Sequence, residues 1–117
     1  MTDISVVVPA RDEEKSIAAL VEETAQALGS LRWEMVIVDD GSTDGTWEEI
    51  RRASTVHPVT GIRFGRNQGK AAALSAGFAA ASGRLLATMA ADLQEDPADI
   101  PVLSAVSYTH LTRPTKE

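Results

Sequence analysis

The period of apolar and polar positions changes repeatedly along the chain, and each change marks an element. Ile4 to Val8 is a continuous apolar run, which reads as a buried strand closed by Pro9. Ile17, Leu20, Val21, Thr24 and Leu28 then repeat at helical spacing. Asp12 is the expected cap of that helix, Glu13 and Glu14 suit its first turn, and Gly29-Ser30 ends it. Met35 to Val38 predicts a second strand. Asp44 or Thr46 is expected to cap a second helix, with Thr46 and Glu49 at capping-box spacing. Ser54 to Thr60 is a polar connection containing Pro58, and Ile62 to Phe64 predicts a short third strand. Gly65 to Gly69 reads as a loop, and Lys70 to Ala81 as an Ala-rich helix stopped by Ser82-Gly83. Leu85 to Met89 predicts the fourth strand.

Regular alternation of strand and helix implies an α/β fold, a three-layer α/β/α sandwich with a mostly parallel sheet. In such a sheet the loops that follow the strands gather at one edge, where open α/β sheets bind ligands. That edge is expected to collect Ala10 to Glu13, Asp39 to Asp44, Gly65 to Lys70 and Ala90 to Asp96.

Composition narrows the class. A chain of 117 residues fits one small domain, and no apolar run approaches the roughly 20 residues that cross a bilayer. Asp3 and Pro9 occupy a region where a signal peptide needs basic and then apolar residues, so none is expected. The absence of Cys removes disulfide and thiolate chemistry and fits a reducing, cytoplasmic setting. A net charge of -6 argues against nucleic-acid binding, which uses a basic face. A polyanionic ligand would need local cations or a metal.

The collected edge supplies that chemistry. An unpaired buried carboxylate is costly, so at least one of Asp39 and Asp40 is expected to face solvent, a cation or a ligand. A solvated acidic turn is the bland alternative. The acids suit ribose hydroxyls or a base edge, while Arg11, Arg66, Lys70 and helix N-termini suit phosphate. Asp92 and Gln94 alternate by two, so on extended backbone they offer two oxygens to one hard cation, Mg2+ or Mn2+. The set describes a nucleotide-diphosphate site. Trp33 and Trp47 are expected to pack, and neither His57 nor His110 is expected to be catalytic. No nucleophile elbow surrounds Ser42, and Pro9 to Glu14 lacks the glycines of a dinucleotide fingerprint.

Four segments, SVVVPARDEEKSI, VIVDDGSTDGT, GRNQGKAAALSAGFAAASG and MAADLQEDPADIP, together resemble the family 2 glycosyltransferases, nearest the dolichol- or polyprenyl-phosphate sugar synthases. The resemblance spans roughly residues 4 to 103 in family order. It implies a GT-A fold and inverting transfer of a sugar from a UDP- or GDP-sugar, with a lipid phosphate as the acceptor at the cytoplasmic membrane face. It places Pro9, Arg11 and Glu13 in the nucleotide pocket and Asp40, with Asp39 beside it, on the base or ribose. Arg66 and Lys70 fall near the phosphates. Asp92 and Gln94 become metal ligands.

Two departures accompany the resemblance. Ala90 stands where the family's acidic motif begins with Asp, and Asp12 where Asn is common. After about Leu103 the likeness stops, so residues 1–103 are expected to form the donor-binding part of such a domain. Residues 104–117 read as a foreign end, and the chain as an incomplete fragment. The competing readings are a non-catalytic nucleotide-binding or regulatory module and a receiver-type domain phosphorylated on Asp39 or Asp40.

Overall fold

A computed structural model describes residues 2–91 of the chain. Strands β1 (Ile4–Ala10), β2 (Trp33–Asp39), β3 (Val59–Arg63) and β4 (Leu85–Thr88) alternate with helices α1 (Ile17–Leu28), α2 (Thr46–Ser54) and α3 (Lys70–Ala80). The strands form a single parallel sheet of order β3-β2-β1-β4.

Side-chain alternation along the strands builds a core on each face of the sheet. Ile4, Val6 and Val8 of β1 and Met35 and Ile37 of β2 pack with Ile17, Leu20, Val21 and Leu28 of α1 and Ile50 of α2. The intervening residues point the other way. Val7 meets Leu74 and Phe78, and Val36 and Val38 meet Ala73, so α3 covers the opposite face. Small residues let α3 lie close: a Cβ on Gly77 would sit 2.3 Å from Val7 Cγ1. The Ala-rich composition of this helix serves that approach. Trp33 and Trp47 pack against the α1–α2 core, and His57 pairs its Nε2 with Glu22 Oε2 at 2.7 Å. No helix among the described residues is long and apolar enough to cross a membrane.

Local expectations were overridden in four places. β1 runs through Pro9 instead of ending before it. The Met89 N–H donates to Val7 O, so odd-numbered residues of β1 direct their polar groups towards β4. The missing N–H of Pro9 therefore falls beyond Thr88, the last residue of β4, where no ladder bond is lost. Asp12 does not cap α1. The residue before that helix is Ser16, and Asp12 instead adopts a left-handed φ of 53° within the β1–α1 loop. The Thr46–Glu49 capping box does not form either, because the Thr46 hydroxyl accepts the Glu13 N–H at 2.8 Å. The third strand begins earlier than its apolar signal, at Val59, because parallel pairing to Met35 sets its start.

Candidate functional site

The C-terminal end of β2 shows how a strand distributes two adjacent carboxylates. Successive side chains point to opposite faces of the sheet. Asp39 shares the face of Met35 and Ile37, whereas Asp40 meets the β3–α3 loop. Both are buried, at 0% and 5% exposure. Of the two, Asp40 lines a cleft and Asp39 does not, and backbone N–H groups supply hydrogen bonds to both buried carboxylates in place of water. Asp39 Oδ1 accepts the Ser42 N–H at 2.9 Å, while its Oδ2 has no hydrogen-bond partner among the described residues. Asp40 Oδ1 accepts the Gln68 N–H at 2.7 Å. Its Oδ2 accepts the Gly69 N–H at 3.0 Å and the Asn67 Nδ2 amide at 2.8 Å.

The β1–α1 and β2–α2 loops bind each other reciprocally. The Asp12 N–H donates to Ser42 Oγ, and Asp12 Oδ1 accepts the Thr43 N–H, both at 2.8 Å. Glu14 Oε1 accepts the Gly45 N–H at 2.7 Å, and Asp44 Oδ2 accepts the Glu14 N–H at 3.4 Å. Asp12 holds this clasp from a backbone conformation that only Gly, Asn and Asp adopt readily. Asp12→Asn is therefore expected to leave stability within about 0.5 kcal/mol, since the amide oxygen still accepts and Asn tolerates the geometry. Asp12→Ala loses the acceptor and keeps the strain, and is expected to cost about 1–2 kcal/mol in urea unfolding. Equal midpoints for the two variants would show that the clasp contributes nothing.

Asp44 organises the start of α2, its Oδ1 accepting the Thr46 N–H at 2.9 Å and the Thr46 hydroxyl at 2.5 Å. Burial, the largest single influence, pushes its pKa up. The bonds from Thr46 and Glu14 together outweigh that and hold it below the ordinary 3.8. The folded state thus favours the ionised form, so its contribution is complete above pH 3.8 and disappears as pH falls through the lower folded value. The stability difference between wild type and Asp44→Asn is expected to shrink on acidification from about pH 5 to about pH 2, measured by urea unfolding at each pH. A constant difference across that range refutes the assignment.

These loops enclose a cleft of about 210 Å3 lined by Pro9, Ala10, Arg11, Glu13, Asp40, Lys70, Ala90 and Ala91. Five of the residues singled out from the sequence, Pro9, Arg11, Glu13, Asp40 and Lys70, thus share one wall. Two others do not line it: Asp39 is sealed inside, and Arg66 is exposed on the β3–α3 loop. Asp92, Gln94 and His110 lie outside the described residues. Among the described residues no group of three acidic, His or Cys side chains is placed to hold a metal. The fit is incomplete there, because Asp40, an acid of the cleft, already spends both oxygens on the β3–α3 loop. Sequence reasoning gave Asn67 no role, although its amide bridges the two loops. An Asn in a turn is a weak signal, since the same residue serves ordinary local hydrogen bonds.

The sequence profile of Glycosyl transferase family 2 matches residues 5–107. The chain belongs to this family. A dodecaprenyl-phosphate galacturonate synthase from Rhizobium johnstonii is 46% identical over 103 residues, covering 85% of this chain and 30% of that protein. A dolichol-phosphate mannosyltransferase from Pyrococcus furiosus is 39% identical over 100 residues, covering 86% of this chain and 28% of that protein. Among solved structures, the mannosyltransferase PcManGT from Pyrobaculum calidifontis, in complex with GDP-Man and Mn2+, superposes with a TM-score of 0.74. It is 29% identical, covering 96% of this chain and 33% of that one. The chain thus spans about a third of the length of the relatives it matches. Its α/β fold is that of this glycosyltransferase family.

Proposed function

We propose that this glycosyltransferase chain is the donor-binding part of an enzyme that moves a sugar from a UDP- or GDP-sugar to a polyprenyl phosphate, with inversion. The observation that carries the reading is the shared cleft wall, where Arg11 and Lys70 supply positive charge between the acids of two loops. Transfer breaks a sugar–phosphate bond through an oxocarbenium-like transition state, and the departing diphosphate gains negative charge. Cations beside that diphosphate stabilise the transition state more than the ground state. Lys70 and Arg11 are assigned to this task, and Arg66 to the approach of the phosphates. A polyprenyl phosphate is already ionised near neutral pH, so its attack needs no strong general base.

Pro9 and Glu13 wall the nucleotide on one side. Asp39 and Asp40 stand behind it, Asp40 at the cleft surface and Asp39 with its one unpartnered oxygen underneath. Mg2+ or Mn2+ is assigned to Asp92 and Gln94, which follow the cleft residue Ala91 in sequence. Such an ion would neutralise the diphosphate oxygens. The volume of about 210 Å3 is smaller than the roughly 300–1,000 Å3 of complete ligand sites. The described walls therefore suit one portion of a nucleotide-sugar. Residues 1–103 are assigned to donor binding, residues 104–117 to an atypical end, and the whole enzyme to the cytoplasmic face of a membrane, where its lipid acceptor resides.

Calorimetric titration with UDP, GDP and their sugars, with and without Mn2+, tests the site. Saturable heat that grows with the metal is expected for one nucleotide. Flat traces with every nucleotide refute the donor site. Ala90, which lines the cleft where the family carries Asp, favours a second reading as a non-catalytic nucleotide-binding module. Sugar transfer by the full-length gene product excludes that module.

A further inference from the structure

The two residues that lead into α3 are held by a buried carboxylate. The first N–H groups of a helix lack intrahelical partners, and the helix dipole makes that end positive, so an anion there is stabilised. The Asp40 carboxylate lies just ahead of that end. It takes the N–H groups of Gln68 and Gly69, which lead directly into Lys70, and it also binds the side chain of Asn67. Asp40 is only 5% exposed, so water competes little for these bonds.

A second feature locks the same junction. Gly41 has φ of 75°, and a Cβ there would lie 2.4 Å from Asn67 N and 2.5 Å from Arg66 C. The backbone of the β3–α3 loop is therefore pressed directly on the residue after Asp40. A side chain at position 41 would separate the two loops even with the carboxylate intact.

We infer that Asp40 is a positioning residue, a resident anion that clamps the β3–α3 loop to the end of β2 and so sets Lys70 at the cleft. Donor diphosphate charge falls to the Lys70 and Arg11 side chains. This inference rests on the donor-site reading for its functional consequence, but the clamp itself does not.

Removal of the carboxylate creates a site that a small external carboxylate fits. In Asp40→Ala, the Gln68 and Gly69 amide protons are expected to exchange much faster with solvent than in the wild type, as read by NMR. Sodium formate is expected to restore their protection saturably in the variant and to change nothing in the wild type, with sodium chloride as the ionic-strength control. Nucleotide affinity is expected to fall at least about tenfold in Asp40→Ala and to recover with formate, in step with the protection. If Asp40→Ala does not fold, Asp40→Asn serves, because its shape is conserved while its NH2 group opposes the loop donors. The amide protons at 68 and 69 should then again exchange faster.

Unchanged protection at Gln68 and Gly69 in the variant that folds overturns the clamp, whatever happens to nucleotide binding. Lost protection with wild-type nucleotide affinity overturns the positioning role. If the wild type itself binds no nucleotide, the donor-site reading falls, and formate-dependent protection still decides whether Asp40 is the resident anion.

Discussion

Gly77→Val is expected to destabilise the protein by more than about 3 kcal/mol, the upper range for inserting bulk into a packed core. A Cβ at position 77 falls 2.3 Å from Val7 Cγ1 and 3.4 Å from Val38 Cγ2, and neither valine is exposed. Val7 cannot readily turn away, because a β-branched side chain has few open rotamers. Helix α3 must lift from the sheet, and the contacts of Ala73, Leu74 and Phe78 loosen with it. Gly77→Ala should be milder. Its clash of about 1–3 kcal/mol is partly offset by the gain of about 1 kcal/mol that Ala brings to a helix interior. Pairing Gly77→Ala with Val7→Ala should recover part of the clash, a coupling that denaturant melts of the four proteins would expose. An unfolding midpoint for Gly77→Val equal to that of the wild type would mean that α3 does not approach the sheet this closely.

Lys70→Ala is expected to move stability and ligand affinity in opposite directions. Lys70 is the first residue of α3, where a positive charge opposes the dipole, so its removal should stabilise the fold by about 0.3–1 kcal/mol. The same change removes a cation from the cleft. A charge-assisted hydrogen bond contributes about 1.5–3 kcal/mol, so affinity for UDP or GDP should fall about 10- to 100-fold. Thermal melts read the first effect and calorimetry the second. A stabilised variant with unchanged affinity would place the diphosphate elsewhere. The opposed signs give this unfavourable placement of a Lys a functional explanation.

Much of the architecture was legible because the signals were local. Apolar runs at Val6–Val8 and Val36–Val38 and the helical spacing of Ile17, Leu20, Val21, Thr24 and Leu28 each report a face that must be buried. Short connections and alternating elements then leave few topologies besides a parallel sheet. Boundaries were less legible. Pro9 reads as a strand breaker until the end of β4 shows that its missing N–H has no ladder partner to lose. Asp12 reads as a helix cap until Ser42 and Thr43 arrive from a second loop and claim it.

The order and spacing of four motifs were enough to assign the family, the layered α/β architecture and the edge on which the loops after the strands gather. The separate fates of two neighbouring aspartates required the folded chain. Whether a buried carboxylate is satisfied depends on which N–H groups meet it, and those meeting Asp40 come from residues 27 to 29 positions away. Strand alternation sends Asp39 under one layer and Asp40 into another. A linear reading counts two acids at one turn, and folding turns one into the anchor of a distant loop.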